Sequence, residues 1–371
     1  MPLPPSGSFA GAVAQQIKDI PVMTTTLKKL CRCLALVAVA ASASPALAVN
    51  NGDVPINTVA SARRMIEDLN RTYGQKYQAG PALLKQLADI EARLKASADD
   101  GKAKADLVEL IRQASLANPL LDFDRLLVIR RTAEANRALN AYTSTTIQRK
   151  GWDNEISELS NLRGQIKVRT VYRHPDSSVM KHMDLNFEGK RIMFSGVGAN
   201  GAWAVLEVDA DGKNLRELTP SDQPDVQWFD SCYLPDEGQI IACSTAGMQG
   251  LPCVNGSEPM VNLYRVNTRN KSVRQLTFEQ DSDWHPRVLN SGRVLYLRWE
   301  YTDIPHYFSR YLFQMNPDGS GQVEHWGSGS YFPTANVWPR PIPDHPSKIV
   351  GIASGHHSKS ETGRLLLLDP E

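Results

Sequence analysis

The sequence predicts a mainly β fold, a β-propeller of four-stranded antiparallel blades preceded by a small α-helical region. Three observations predict it. From Asp122 onward, short apolar runs divided by turns recur with a period near 50 residues: Trp228, Trp284 and Trp338 follow one another at 56 and 54 residues. Each opening run is followed by strand, Asp/Asn-Gly turn and strand, which makes two hairpins per period. All seven Trp lie at or beyond Trp152 and all eight His at or beyond His174, so the preceding segment differs in kind.

The chain begins with a candidate leader, residues 1–48. From Met23 the order is Lys28-Lys29, Arg32, the apolar run from Leu34, and then Ser-Pro-Ala46-Leu-Ala48. A basic region, a short apolar stretch and an Ala-x-Ala exit describe a secretory signal peptide over 23–48, cleaved after Ala48, with residence in the periplasm or a similar compartment. The apolar stretch is too short for a stable bilayer anchor, and no later run approaches 18 residues, so no membrane span is expected in the mature chain.

Hydrophobic residues make up 42 % and charged residues 22 % of the 371, proportions of a folded protein rather than a disordered or collagenous one. The first 48 residues hold four basic side chains (Lys18, Lys28, Lys29, Arg32) and one acid (Asp19); the 323 that remain carry 37 basic and 39 acidic ones, net about −2. That balance provides no electrostatic footprint for nucleic acid.

Residues 49–118 read as helical. Segments 58–73, 81–98 and 102–117 carry apolar residues at helical spacing, for example Leu107, Leu110, Ile111 and Ala114. Asp99-Asp100-Gly101 separates the last two and Asn118-Pro119 ends the third. The propeller is assigned to 119–371. Leu126-Leu-Val-Ile-Arg reads as a buried strand and Ile166–Tyr172 as an alternating one. Blades then fall near 122–174, 182–219, 228–277 and 284–325, with a fifth opening at Trp338. Each opening strand leads through a Gly or Pro turn to a β-branched run, as in Ile240-Ile-Ala-Cys-Ser. A second signature follows, ending in Leu218-Thr219 and Leu276-Thr277. A β-sandwich would not give such matched Trp and Leu-Thr landmarks. About four and a half blades are present, so an incomplete propeller is expected, one completed by a further C-terminal part or by a protein partner, because an open sheet edge invites aggregation.

The Asp-Gly turn with its Leu-Thr ending resembles the periplasmic propeller repeats of the Tol system. Longer strings are similar to the hydrazine synthase alpha-subunit family: Ala117-Asn-Pro-Leu-Leu-Asp-Phe-Asp124, Thr302-Asp-Ile-Pro-His306-Tyr-Phe-Ser-Arg310, Met315–Gly319, Arg340-Pro-Ile-Pro-Asp-His-Pro346 and Ser354-Gly-His-His357. That resemblance covers about Asn118 to Glu371. It implies a six-bladed propeller beside domains with covalently attached c-type haems, in a complex that joins nitric oxide and ammonia into hydrazine. Covalent attachment needs Cys-x-x-Cys-His, which occurs nowhere in these 371 residues. No haem attached to this chain is therefore expected, while zinc or a partner-held haem stays open.

Asp184, Asp230, His285 and Arg340 fall at similar places near the start of successive repeats, where propeller residues ring one mouth of the central channel. Either a small-ligand site or mutual salt bridges would use them. Candidate metal ligands are Cys253, His285, His306, His356 and His357, scattered through separate blades. Cys232, Cys243 and Cys253 form an odd set in an oxidising compartment, one disulfide plus one free thiol. No Gly-x-Ser-x-Gly elbow, Walker loop or dinucleotide fingerprint is present, and no catalytic residue is nominated. Three readings follow: a binding or scaffold propeller, a subunit of a haem-containing redox enzyme of nitrogen metabolism, and a peptidase-type propeller without its hydrolase domain. The first is preferred.

Overall fold

The computed structural model describes residues 58–131, 150–252, 255–300, 310–327, 333–355 and 363–370. The candidate leader and signal peptide lie outside them.

Three helices come first: α1 (Val59–Tyr73), α2 (Gly80–Ala96) and α3 (Gly101–Leu116). Their starts are written in the sequence. The Thr58 hydroxyl accepts from the Ser61 N–H and Ser61 answers in a capping box. Asp100 accepts from the Ala103 N–H at 2.8 Å. The apolar stripes, among them Ile66, Leu69, Leu87, Leu107 and Leu110, close a core containing residues of these helices and their connections only. Side-chain bonds tether this bundle and the segment after it to the first sheet, those of Arg163 to the carbonyls of Leu121 and Phe123 among them. The Asp124 carboxylate accepts from the N–H groups of Asn161 and Leu162, at 3.1 and 3.0 Å, and Arg112 donates to the Leu162 carbonyl at 3.2 Å.

Antiparallel sheets follow. The first holds β1 (Arg125–Arg131), β2 (Asn154–Ser160) and β3 (Lys167–Tyr172). The second holds β4 (Lys181–Leu185), β5 (Arg191–Val197), β6 (Trp203–Asp209) and β7 (Arg216–Glu217), and the third β8 (Trp228–Tyr233), β9 (Gln239–Ser244), β10 (Asn262–Asn267) and β11 (Val273–Gln275). The fourth blade comprises β12 (Asp283–Val288), β13 (Val294–Trp299), β14 (Arg310–Met315) and β15 (Val323–Trp326). A single parallel bridge, Arg310 to Ala335, joins it to β16 (Ala335–Pro341), β17 (Ile349–Ser354) and β18 (Arg364–Leu368). The propeller class and its helical preface are thus as the sequence predicts, and among the described residues the sheets do not close into a ring. Two strand readings need correction. β1 is half-buried rather than buried, and β3 is largely exposed, because it is the outer strand of its sheet.

The repeat signatures have a packing meaning. Leu218 and Leu276 are buried, and the hydroxyls of Thr219 and Thr277 accept from the N–H groups of Val205 and Leu263 at 3.2 and 3.0 Å. Each Leu-Thr therefore supplies an acceptor where the short outer strand ends. Among the described residues no helix is long and apolar enough to cross a membrane.

Candidate functional site

The first strands of four successive blades pack on one another: β4 on β8, β8 on β12, and β12 on β16. Each of the four carries the same defect, a one-residue bulge in its pairing with the next strand. At every bulge one non-glycine residue has positive φ: His182 (52°), Asp230 (39°), His285 (55°) and Trp338 (56°). Asp and His tolerate that region better than most residues, whereas a Trp there is a genuine outlier. Bulges re-aim side chains, and here all four point into one hub. Two residues on, each strand presents a second member: Asp184, Cys232, Arg287 and Arg340.

The inner layer is bonded closely. The Asp230 carboxylate accepts from His285 Nδ1–H at 2.6 Å, from the His285 backbone N–H at 3.0 Å, and from Arg287 Nη2 at 3.2 Å. Burial opposes ionisation of Asp230, but the bonds from His285 and the charge of Arg287 outweigh it and hold its carboxyl well below the usual carboxylate range. The Asp230 N–H donates to Ser195 Oγ at 2.9 Å, and that hydroxyl lies 2.9 Å from His182 Nδ1. Burial pushes His182 well below its ordinary value, so its ring is neutral. The Trp338 ring fills the middle, with centroids 4.4 Å from His285 and 5.2 Å from His182.

The outer layer is looser. Arg340 lies 3.7 Å from Asp184, whose other oxygen accepts from the Tyr233 N–H at 3.3 Å. Arg287 donates to the carbonyls of Ser231 and Pro286 at 3.3 and 2.5 Å. Burial lowers Arg340 to about 10, with the charge of Arg287 acting in the same direction.

All four sequence candidates, Asp184, Asp230, His285 and Arg340, thus meet in the hub, but in two layers rather than one ring. The repeat register needs correcting too. Relative to the positive-φ residue, Trp228 stands two places before, Trp284 one before and Trp338 on it, so the three Trp are not equivalent. Trp228 packs edge-on to Tyr264, Trp284 stacks on Trp299, and Trp338 fills the hub. His182 and Arg287 escaped the sequence reading. The signal lay in the spacing of His182-Met-Asp184, His285-Pro-Arg287 and Trp338-Pro-Arg340, which an alignment on Trp hides.

Of the metal candidates, Cys253, His306, His356 and His357 lie outside the described residues, and among the described ones no cluster of three or more His, Cys, Asp or Glu has metal-site geometry. His285 is instead spent on Asp230. Cys232 and Cys243 are buried and free, so no disulfide joins them. Burial pushes the Cys232 thiol up to about 12 and Cys243 well above its ordinary value, which keeps both protonated and unreactive. Ser195 and His182 have the spacing of a nucleophile and its base, yet Ser195 is fully buried and its oxygen already accepts from Asp230.

No family model matches the chain, and no curated protein matches it. Solved structures do. Hydrazine synthase from Kuenenia stuttgartiensis superposes with a TM-score of 0.52 at 14 % identity over 66 % of this chain and 37 % of that one. A putative TolB from Agrobacterium tumefaciens gives 0.42 at 14 % identity over 57 % of this chain and 72 % of that one. The β-propeller domain of the Trilobed protease from Pyrococcus furiosus gives 0.35 at 9 % over 67 % and 66 %. This chain spans little more than a third of the hydrazine synthase chain it matches. At such identities the likeness is one of fold, and the fold is that of a β-propeller.

Proposed function

We propose that this chain is an exported β-propeller acting as a binding or scaffold subunit, in an assembly related to the hydrazine synthase that its fold resembles. One observation carries the reading. Four bulged inner strands lock the hub's buried ionisable groups onto one another, Asp230 with His285 and Arg287. Groups so engaged hold a rigid disc and leave its loops to bind, whereas a fold alone brings no chemistry. The pair that looks nucleophilic, Ser195 with His182, is sealed from substrate. Export is supported by the basic, apolar and Ala-x-Ala order of residues 23–48.

The test is native purification from the source organism, with mass spectrometry of the intact complex and haem staining of its separated subunits. A stoichiometric partner subunit, an N-terminus beginning just after Ala48 and no haem on this chain are expected. An isolated monomer that turns over substrate, or covalent haem on this polypeptide, overturns the reading.

A further inference from the structure

The outer layer of the hub is under-bonded at its partly exposed end. It holds Arg287, whose charge Asp230 meets from the inner layer, and Arg340, which faces Asp184. The Arg340 side chain is 20 % exposed, yet among the described residues its five N–H donors make no hydrogen bond, and its ion-pair partner Asp184 stands 3.7 Å away. A mostly buried guanidinium is costly to leave in that condition. Two neighbouring polar atoms share it. Arg287 Nε and Ser231 Oγ are both buried without a partner, and Arg287 Nη1 bonds to the carbonyl of that same Ser231. This is the side nearer solvent, since Asp184 and Arg340 are partly exposed while Arg287, Asp230 and His285 are buried.

We propose that this end of the hub binds a small monovalent oxyanion of carboxylate type, gripped by Arg340. A planar carboxylate matches the fork of a guanidinium, which presents parallel N–H donors. Size is limited from within, because Trp338 fills the axis between His182 and His285. Charge is limited by Asp184, which repels a dianion more than a monoanion. The site names a ligand class for the binding module proposed above and rests on that reading only for its biological use; the complex and the anion are measured separately, so either can fail alone.

The experiment titrates the full mature chain with formate, against chloride and sulfate at equal ionic strength, following thermal midpoint and Trp fluorescence. Formate is expected to raise the midpoint saturably beyond chloride, as binding to the folded state must. Arg340→Gln should weaken formate at least tenfold, and Asp184→Asn, which removes the competing carboxylate, should tighten it severalfold. A wild-type response to formate no different from chloride overturns the site, as does unchanged affinity in Arg340→Gln. Should that variant not fold, an Asp184→Asn protein with unchanged or weaker affinity overturns it equally.

Discussion

Asp230 stands where burial and charge compete. A fully buried carboxylate is tolerable only because His285 and Arg287 bond to it, and removing it leaves the Arg287 charge buried and uncompensated. Asp230→Ala should therefore lose about 3–5 kcal/mol in urea unfolding, the cost of breaking a buried pair on one side. A loss below about 1 kcal/mol would show that the pair adds little to stability. Asp283 shows the opposite balance. Burial raises its carboxyl to about 6 despite Arg298 beside it at 3.1 Å. A folded-state value above the unfolded one, about 3.9, gives stability that is full below that value and is lost as pH rises through 6. Asp283→Asn removes this loss, so its stability relative to wild type should climb between pH 4 and 6, by at most about 1.4 kcal/mol per unit, and then level off. A difference that stays flat across that window rejects the assignment. His182 acts the other way. Its lowered value gives stability that is full above about 6.5 and declines as pH falls. None of these shifts was legible in the sequence, because burial is set by residues 35 to 57 positions away, such as Ser195 and Arg287 around Asp230.

At the scale of elements, the turns and endings of the repeat were legible because they are local. Asp-Gly turns and Leu-Thr endings are chemistry within a few residues. Their second role was not legible: each turn docks on the preceding blade. A Cβ at Gly212, whose φ is +86°, would stand 1.8 Å from the Val171 carbonyl oxygen in β3, and one at Gly319 would stand 3.1–3.2 Å from Leu276. Gln322 Nε2 adds a bond to the Leu276 carbonyl at 2.8 Å, and Lys271 reaches the Glu217 carbonyl from the third blade to the second. Gly212→Ala combines a left-handed backbone with a backbone clash, so a loss of about 2–3 kcal/mol is expected, read as a lower urea midpoint with little change in slope. Gly201 also has positive φ but nothing within 4 Å of its would-be Cβ, so Gly201→Ala should cost only the backbone share, about 1 kcal/mol. Equal losses at the two positions would remove the docking argument. The bulges were hidden for a related reason. The bulge is the same in every inner strand, but the Trp moves one place nearer the positive-φ residue from blade to blade, so a register set on Trp228, Trp284 and Trp338 slips by one place each time.

In the whole molecule two cores stand side by side, and the sequence divides them more sharply than their contacts do. The helical core is built from α1 to α3 and their connections, while the blade cores join across the packed inner strands and the hub. Among the described residues the tethers between them, at Asp124, Arg112 and Arg163, are few and lie at the edge of the first sheet. Separate cores with few shared contacts open separately. The chain carries its own reporters for this: every Trp lies at or beyond Trp152, so Trp fluorescence follows the blades, while helical ellipticity near 222 nm follows largely the bundle. Two transitions are therefore expected on heating, one for each signal. Trp338→Ala empties the point where β4, β12 and β16 meet, and should lower the fluorescence-detected transition by about 3 kcal/mol while leaving the helical one in place. If both signals melt together in the wild type and shift together in the variant, the helices and blades form one cooperative unit. The hub would then set the stability of the entire chain, through tethers stronger than their number indicates.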